Sequence, residues 1–589
     1  MHLPHVLRLA VIRTRRALRS RHLILALLAI GAGAVGGFTG IAFREAISLV
    51  QYLGFGLDGE ILVDAMQALP WWHIPLVTTA GGLLVGLMVR FLLPGQRPAG
   101  VPDVIEATAL RGGRVSLRQG LGAAAVSAVT LGSGGSAGRE GPVVHLAAAC
   151  TSFLAARMGL GRSLTVTLLG CGVAAGVASS FNAPIAGVFF ALEVVTGNYA
   201  LAAFTPIVIA SVVGTLVSRA YYGDFPAFII PPHEIASFWE FPAFAILGVL
   251  SALAAVLFLH SVKLVRRVQD RIGAPRWLRP AMGGLLVGSI GIAFPHILGV
   301  GYEATDMALK DVLGLEMLVI LLVLKTGATA VTIGSGSGGG VFSPSLFIGA
   351  MLGGAFGIVA TSFFPALSSG HSAYTMVGMG AVAGAVLGAP ISTILIVFEL
   401  TGGYELTIAV MIATVLSSQL MRALTGHSFF TWQLAQRGIE LTGGREERVL
   451  RARRIWELVK LDLIKIAPDA SMEDVRHALQ DSRYGEVFVV DPKDRLVGTI
   501  TLKDLAERAF DTSQDDGQNA ASIARRNPPV AFCEDDLEAA MWLMEGCGEE
   551  HIAVVDDKET RHLVGVLHER DLMAAYHRAV LETRREHGL

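Results

Sequence analysis

The chain has 589 residues, of which 52% are hydrophobic and 16% charged, with a formal net charge of −2 at pH 7 and a mean hydropathy of +0.56. So apolar a composition excludes an ordinary soluble enzyme, and the small net charge points to no class of charged partner, nucleic acid included. The four cysteines, Cys150, Cys171, Cys533 and Cys547, have neither paired nor metal-type spacing. No disulfide framework and no metal site is therefore expected.

Residues 1–22 hold six arginines, Arg8, Arg13, Arg15, Arg16, Arg19 and Arg21, ahead of the first apolar run. The positive-inside rule then predicts a cytoplasmic N-terminus. From 23 to 440 long uncharged stretches, among them 23–43, 164–192, 200–217, 241–259, 281–299 and 374–398, alternate with Gly- and Pro-containing breaks. These lengths predict a polytopic α-helical membrane domain. Broken helices at membrane depth are tolerated only where they are buried in protein or line a cavity. A charged linker, 441–454, leads into a water-soluble α/β pattern. Two copies of one unit follow, 455–510 and 519–579, each with a helix, an apolar strand, a polar turn, a second strand and a helix opened by an acidic residue.

The most informative stretch is GSGGSAGREGP, Gly132 to Pro142, which places five glycines, an Arg and a Glu between apolar runs. An ionisable residue at that depth marks function. Glycines let the backbone offer its N–H groups to an anion, and the helix that follows presents its positive end. The stretch reads as an anion site with Glu140 as the anion's built-in competitor.

The membrane part also repeats itself. TLGSGGSAGREGP (Thr130 to Pro142) matches TIGSGSGGGVFSP (Thr332 to Pro344), and FNAPIAGVFFALE (Phe181 to Glu193) matches LGAPISTILIVFE (Leu387 to Glu399). Two landmarks in the same order predict two structural halves, about 23–220 and 239–433, with the transported ion at their interface. Close helix packing through small residues is the simpler reading of the glycines, but it leaves the shared Pro and Glu positions unexplained.

GREGP (Gly138 to Pro142), GVFSP (Gly340 to Pro344), AGVPDVIEA (Ala99 to Ala107), NAPIAGVFFALE (Asn182 to Glu193) and TGHSFFTWQLAQRG (Thr425 to Gly438) occur in this order. With them the chain resembles the CLC family of chloride channels and proton/chloride antiporters over nearly its whole length. The resemblance implies two inverted repeats of broken and tilted helices. It also implies a homodimer in the lipid of the cell (inner) membrane, each subunit with its own pore and both termini cytoplasmic. Chloride or another small anion is the implied substrate, and no cofactor is required. By motif position Glu140 is the implied gate. Ala99, Gly100, Gly141, Val341, Phe342 and Phe430 are the implied anion-binding positions, and Arg139 lends positive potential at the outer mouth or makes a structural ion pair or backbone contact.

Three departures from the family pattern stand out. Ala99 and Phe430 occupy the positions of a serine and a tyrosine whose hydroxyls touch the central anion, so a weak, loosely selective central site is expected. Val194 occupies the position of the inner, proton-accepting glutamate of the antiporters. Passive, channel-like conduction is the resulting expectation, with a proton-coupled antiporter as its alternative. A CBS-regulated cation transporter of the magnesium type is a more distant rival.

The tail copies resemble paired CBS domains, which often bind adenine nucleotides (ATP, ADP or AMP). Thr501 and Asp504 supply the implied nucleotide contacts in the first copy. In the second, His568 replaces the hydroxyl and Asp571 remains. A dimerising scaffold is the simpler role for this pair.

Overall fold

The structure is a computed structural model that describes residues 21–57, 63–197, 199, 201–224, 228, 235–401, 405–439, 450, 453–483, 485–505, 517–557 and 559–586. The arginine-rich segment up to residue 20, most of the 441–454 linker and the helix expected to follow Asp504 lie outside the described residues. The chain divides into two compact units, Met1–Glu440 and Leu441–Leu589.

The first unit is helical. Its first half contains α1 (Arg21–Phe55), α2 (His73–Leu92), α3 (Val101–Leu110), α4 (Leu117–Gly132), α5 (Glu140–Arg157), α6 (Arg162–Phe181), α7 (Pro184–Phe190) and α8 (Leu201–Tyr222). The second half runs α9 (Phe241–Ile272), α10 (Arg279–Gly291), α11 (Tyr302–Leu309), α12 (Leu315–Gly334), α13 (Phe342–Phe363), α14 (His371–Leu387), α15 (Pro390–Thr401) and α16 (Glu405–Thr425). A last short helix, α17 (Phe429–Ala435), is opened by Ser428, whose side chain and that of Thr431 cap each other's backbone N–H. Among the described residues, eight helical segments are long and apolar enough to cross a membrane.

Lipid-facing and core helices differ in composition. Helices α1 and α9 turn large apolar side chains outward, such as Leu53 and Leu257. Helix α14, by contrast, is buried along nearly its whole length and is rich in Gly and Ala. Its small residues let it approach α13 so closely that a Cβ on Gly349 would lie 2.3 Å from the carbonyl oxygen of Gly378. Close backbone approach of this kind substitutes for a hydrophobic driving force inside a bilayer.

Three reciprocal contacts lock the halves together. The N–H of Gly138 donates to the carbonyl of Gly340 at 2.7 Å, and the N–H of Gly340 returns the bond to Gly138 at 2.7 Å. The Thr332 hydroxyl accepts from the N–H of Ser136, and its repeat mate Thr130 accepts from the N–H of Gly338, both at 3.2 Å. Glu399 accepts from the N–H groups of Ile185 (2.9 Å) and Ala186 (2.7 Å) in the first turn of α7. Glu193 does the same for Ile391 (3.1 Å) and Ser392 (2.7 Å) in α15. A helix starts with N–H groups that have no partner of their own, so each half caps the other's broken helix. The Thr and Glu positions shared by the two sequence halves are these cross-repeat acceptors. The turns entering α7 and α15 match as well, through left-handed Asn182 (φ 57°) and Gly388 (φ 70°).

The second unit is a duplicated α/β pair. Strands β1 (Lys465–Ile466), β2 (Glu486–Val490), β3 (Leu496–Thr501) and β4 (Arg525–Arg526) form one sheet, and β5 (Val530–Phe532), β6 (His551–Val555) and β7 (Leu563–His568) form the other. In both copies a parallel pair is followed by an antiparallel pair, with a register shift at the same place, Val489/Val490 and Val554/Val555. Helices α18 (Met472–Asp481) and α19 (Leu537–Cys547) each cover one sheet, and α20 (Glu569–Glu586) follows β7. Phe488, Val490, Ala553, Val555 and Val566 form a single buried cluster that draws on both sheets.

Candidate anion pathway

A cavity of about 470 Å³ runs into the centre of the helical unit. It is lined where four elements meet: Ala99 and Gly100 before α3, Glu140 and Gly141 opening α5, Val341 and Phe342 opening α13, and Phe430 on α17. These implied anion and gate positions are far apart in sequence, and the fold brings them to one space. Ala99 and Phe430 are both buried, so methyl and aromatic surface stands where a hydroxyl was missing from the sequence. The ring of Phe342 packs against Phe181 at 4.8 Å between centroids.

Gly141 lies in the first turn of α5, and Val341 and Phe342 start α13, so their N–H groups have no intrahelical acceptor. Among the described residues no other acceptor reaches them. Two helix N-termini therefore present free donors and positive potential to one cavity. Gly340 sits between them so tightly that a Cβ there would lie 3.0 Å from the nitrogen of Gly141.

The Glu140 carboxylate, 3% exposed, is held from the other half of the protein. Its Oε1 accepts a hydrogen bond from the Tyr302 hydroxyl at 2.9 Å and a shorter one from the Ser343 hydroxyl. Oε2 is buried and has no hydrogen-bond partner among the described residues. The sequence reading missed both donors. Ser343 lies inside the GVFSP motif as the repeat mate of Gly141, a signal that was available. Tyr302 carries no motif of its own.

Two expectations need correction. The N–H of Gly100 does not face an anion, because it donates to the Asp103 carboxylate at 2.8 Å. Asp103 caps α3 in this way, and is itself bound by Arg97 at 2.7 Å and Arg437 at 3.1 Å. Arg139 does not line the cavity. Its guanidinium lies 4.7 Å from the Tyr302 ring centroid, donates to the carbonyl of Ser180 at 3.3 Å and comes within 3.9 Å of Glu140. Ion-pair and backbone contacts, the structural alternative, describe its position.

The cavity wall is otherwise basic. Arg97, Arg266, Arg276, Arg279 and Arg437 line it against three carboxylates, Asp103, Asp270 and Glu140. Asp103 and Asp270 are each paired with arginine, which leaves a net positive wall. Low-dielectric walls focus such a potential and raise the local anion concentration. Val194 is half-buried in the irregular helical turn Ala191–Thr196 that follows α7. Its neighbour Glu193 is committed to the cap on α15.

In the second unit Thr501 donates its hydroxyl to Asp504 at 2.8 Å, so the two implied nucleotide contacts satisfy each other. Asp571 lies in the first turn of α20, 3.7 Å from Lys460. His568 packs edge-on against His551, with centroids 4.7 Å apart. Burial, and then the charge of Glu549, pushes the Glu486 carboxyl beside this pair up to about 7. The folded unit therefore holds a proton that the unfolded chain releases near 4.5, and this contribution to stability is lost as pH rises from about 4.5 to about 7. His551 and His568, whose imidazoles burial holds below their usual range, act in the opposite sense as pH rises towards 6.5.

Known proteins match this architecture. The voltage gated chloride channel family matches residues 81–422, and CBS domains match 455–511 and 520–578. The voltage-gated ClC-type chloride channel ClcB of Escherichia coli (strain K12 / DH10B) is 31% identical over 415 residues, covering 70% of this chain and 98% of that protein. Chloride channel protein CLC-f of Arabidopsis thaliana is 28% identical over 92% of this chain and 79% of its own length. Among solved structures, a slow cyanobacterial Cl−/H+ antiporter superposes with a TM-score of 0.63 at 21% identity, over 70% of this chain and 97% of that one. A eukaryotic CLC transporter does so at 0.60 and 21%, over 93% and 98%. At that identity the structures establish the fold alone. The chain belongs to the CLC family of chloride channels and transporters, carries a C-terminal pair of CBS domains, and is a multi-pass chloride transport protein, not an enzyme.

Proposed function

We propose that the chain conducts chloride passively, with the Glu140 carboxylate as the gate. One observation carries this reading: a buried carboxylate lines the same cavity as the unpaired N–H groups that open α5 and α13. A carboxylate there occupies the place of the transported anion, and protonating it removes the competition. The arginine-rich wall favours an anion over a cation as cargo. Passive conduction rests on the inner side, where Val194 cannot bind a proton and Glu193 is engaged by α15. In liposomes a chloride gradient is expected to drive chloride flux without uphill proton movement; proton accumulation against its gradient would overturn the channel reading.

A second reading, proton-coupled antiport, is favoured by His145. It lies five residues after Glu140 on α5, is 1% exposed, and neither ring nitrogen has a hydrogen-bond partner among the described residues. An imidazole can hold a proton where valine cannot. Loss of coupled proton movement in His145→Ala would identify this route.

The central site should be weak. A hydrogen bond to a charged group is worth roughly 1.5–3 kcal/mol. Ala99→Ser is therefore expected to tighten chloride binding by about tenfold or more in calorimetry, and no gain would count against Ala99 as an anion-site position.

A further inference from the structure

We infer that Tyr302 and Lys325 form a latch on Glu140, with Tyr302 holding the carboxylate and Lys325 acting as the positioning residue that fixes Tyr302. This rests on Glu140 being the gate. Lys325 lies within α12 and is 0% exposed, and no carboxylate comes within ion-pair distance of it among the described residues. An ammonium group so placed is costly unless the fold uses it. Its Nζ donates to the carbonyls of Ile297 at 2.9 Å and Gly299 at 3.0 Å, and lies 5.0 Å from the ring centroid of Phe347. Those carbonyls belong to the turn that leads into α11.

That turn ends at Gly301, which adopts φ +91° and immediately precedes Tyr302. A Cβ on Gly301 would lie 2.7 Å from the Phe347 ring and 3.1 Å from Lys325 Nζ, so the backbone is pressed directly onto the lysine and the phenylalanine. Tyr302 is then aimed by its own packing, with the Arg139 guanidinium over its ring and Phe228 edge-on at 5.7 Å. Its hydroxyl reaches Glu140 at 2.9 Å. The polar groups facing the carboxylate are thus Arg139 from the N-cap of α5, Tyr302 from α11 and Ser343 from α13. Among the described residues Lys325 hydrogen-bonds only the turn, and acts through it.

A donor aimed at the charged carboxylate favours that form over the protonated one. Removing it lets a proton displace the gate more easily. The test is chloride efflux from liposomes as a function of pH, for the wild type, Tyr302→Phe, Lys325→Met and Lys325→Arg, with Tyr302→Phe repeated in Glu140→Ala. Tyr302→Phe is expected to raise the pH of half-maximal flux by about one unit, a tenfold change in proton competition. Lys325→Met should shift it in the same direction, and Lys325→Arg should restore part of the shift. In Glu140→Ala, Tyr302→Phe should change nothing further. Tyr302→Phe keeps the ring packing, so it carries the test alone if Lys325→Met does not fold. If Glu140→Ala alters the pH profile but Tyr302→Phe leaves it unmoved, the latch is wrong and the gate stands. If Glu140→Ala itself leaves flux and profile unchanged, gate and latch fall together.

Discussion

Glu140→Gln is expected to raise chloride flux at neutral pH by about tenfold or more and to flatten its pH dependence. Glutamine has nearly the same shape and still accepts from Tyr302 and Ser343 through its amide oxygen, so packing around the site is preserved. What it lacks is charge. The positive ends of α5 and α13 then attract only the transported anion, and the competing carboxylate is gone. In the wild type, flux should rise as pH falls, because each protonated carboxyl stops competing. Efflux from liposomes between roughly pH 3.5 and 8 measures both effects, a range that spans the usual carboxylate and imidazole titrations. A mutant with the wild-type rate and pH profile would remove Glu140 from the pathway.

Glu399→Ala should have the largest effect on stability. Its carboxylate satisfies the N–H groups of Ile185, which is exposed, and of Ala186, which is buried. Orphaning the buried donor of Ala186 costs about 1–3 kcal/mol, whereas the N–H of Ile185 can turn to solvent. The expected loss is about 1–3 kcal/mol, seen as a lower midpoint in a detergent melting assay. Glu399→Gln keeps one acceptor and should lose less. Glu193→Ala should behave alike through α15, since the two caps are equivalent. Unchanged melting in both alanine variants would mean that the caps hold nothing together.

Much of this was legible in the sequence, for a physical reason. A duplicated membrane fold reuses the same cross-repeat acceptors, so Thr130, Thr332, Glu193 and Glu399 surface as matched landmarks. Glycine where two backbones meet leaves an equally plain trace, as at Gly138 and Gly340. Tyr302 and Lys325 left none, because their roles arise from a tertiary contact between a loop, the middle of a span and a helix of the other repeat. Gly100 misled for a related reason. By motif it stands at an anion-binding position, whereas its N–H is taken by the carboxylate of Asp103, three residues on. Arg139 could be placed only once the ring of Tyr302 was seen beneath it.

The reciprocal caps bear on how the protein is made. The acceptor for the start of α7 lies 214 residues further along the chain, and Glu193 waits 198 residues for its donors in α15. During synthesis the first half therefore emerges with amide donors and a carboxylate whose partners are still to be made. That half cannot reach its final form until the second has emerged. A truncated first half should be a substrate for quality control, whereas two separately expressed halves have a route to recognise each other. The contacts that join the two halves thus also tie their assembly together.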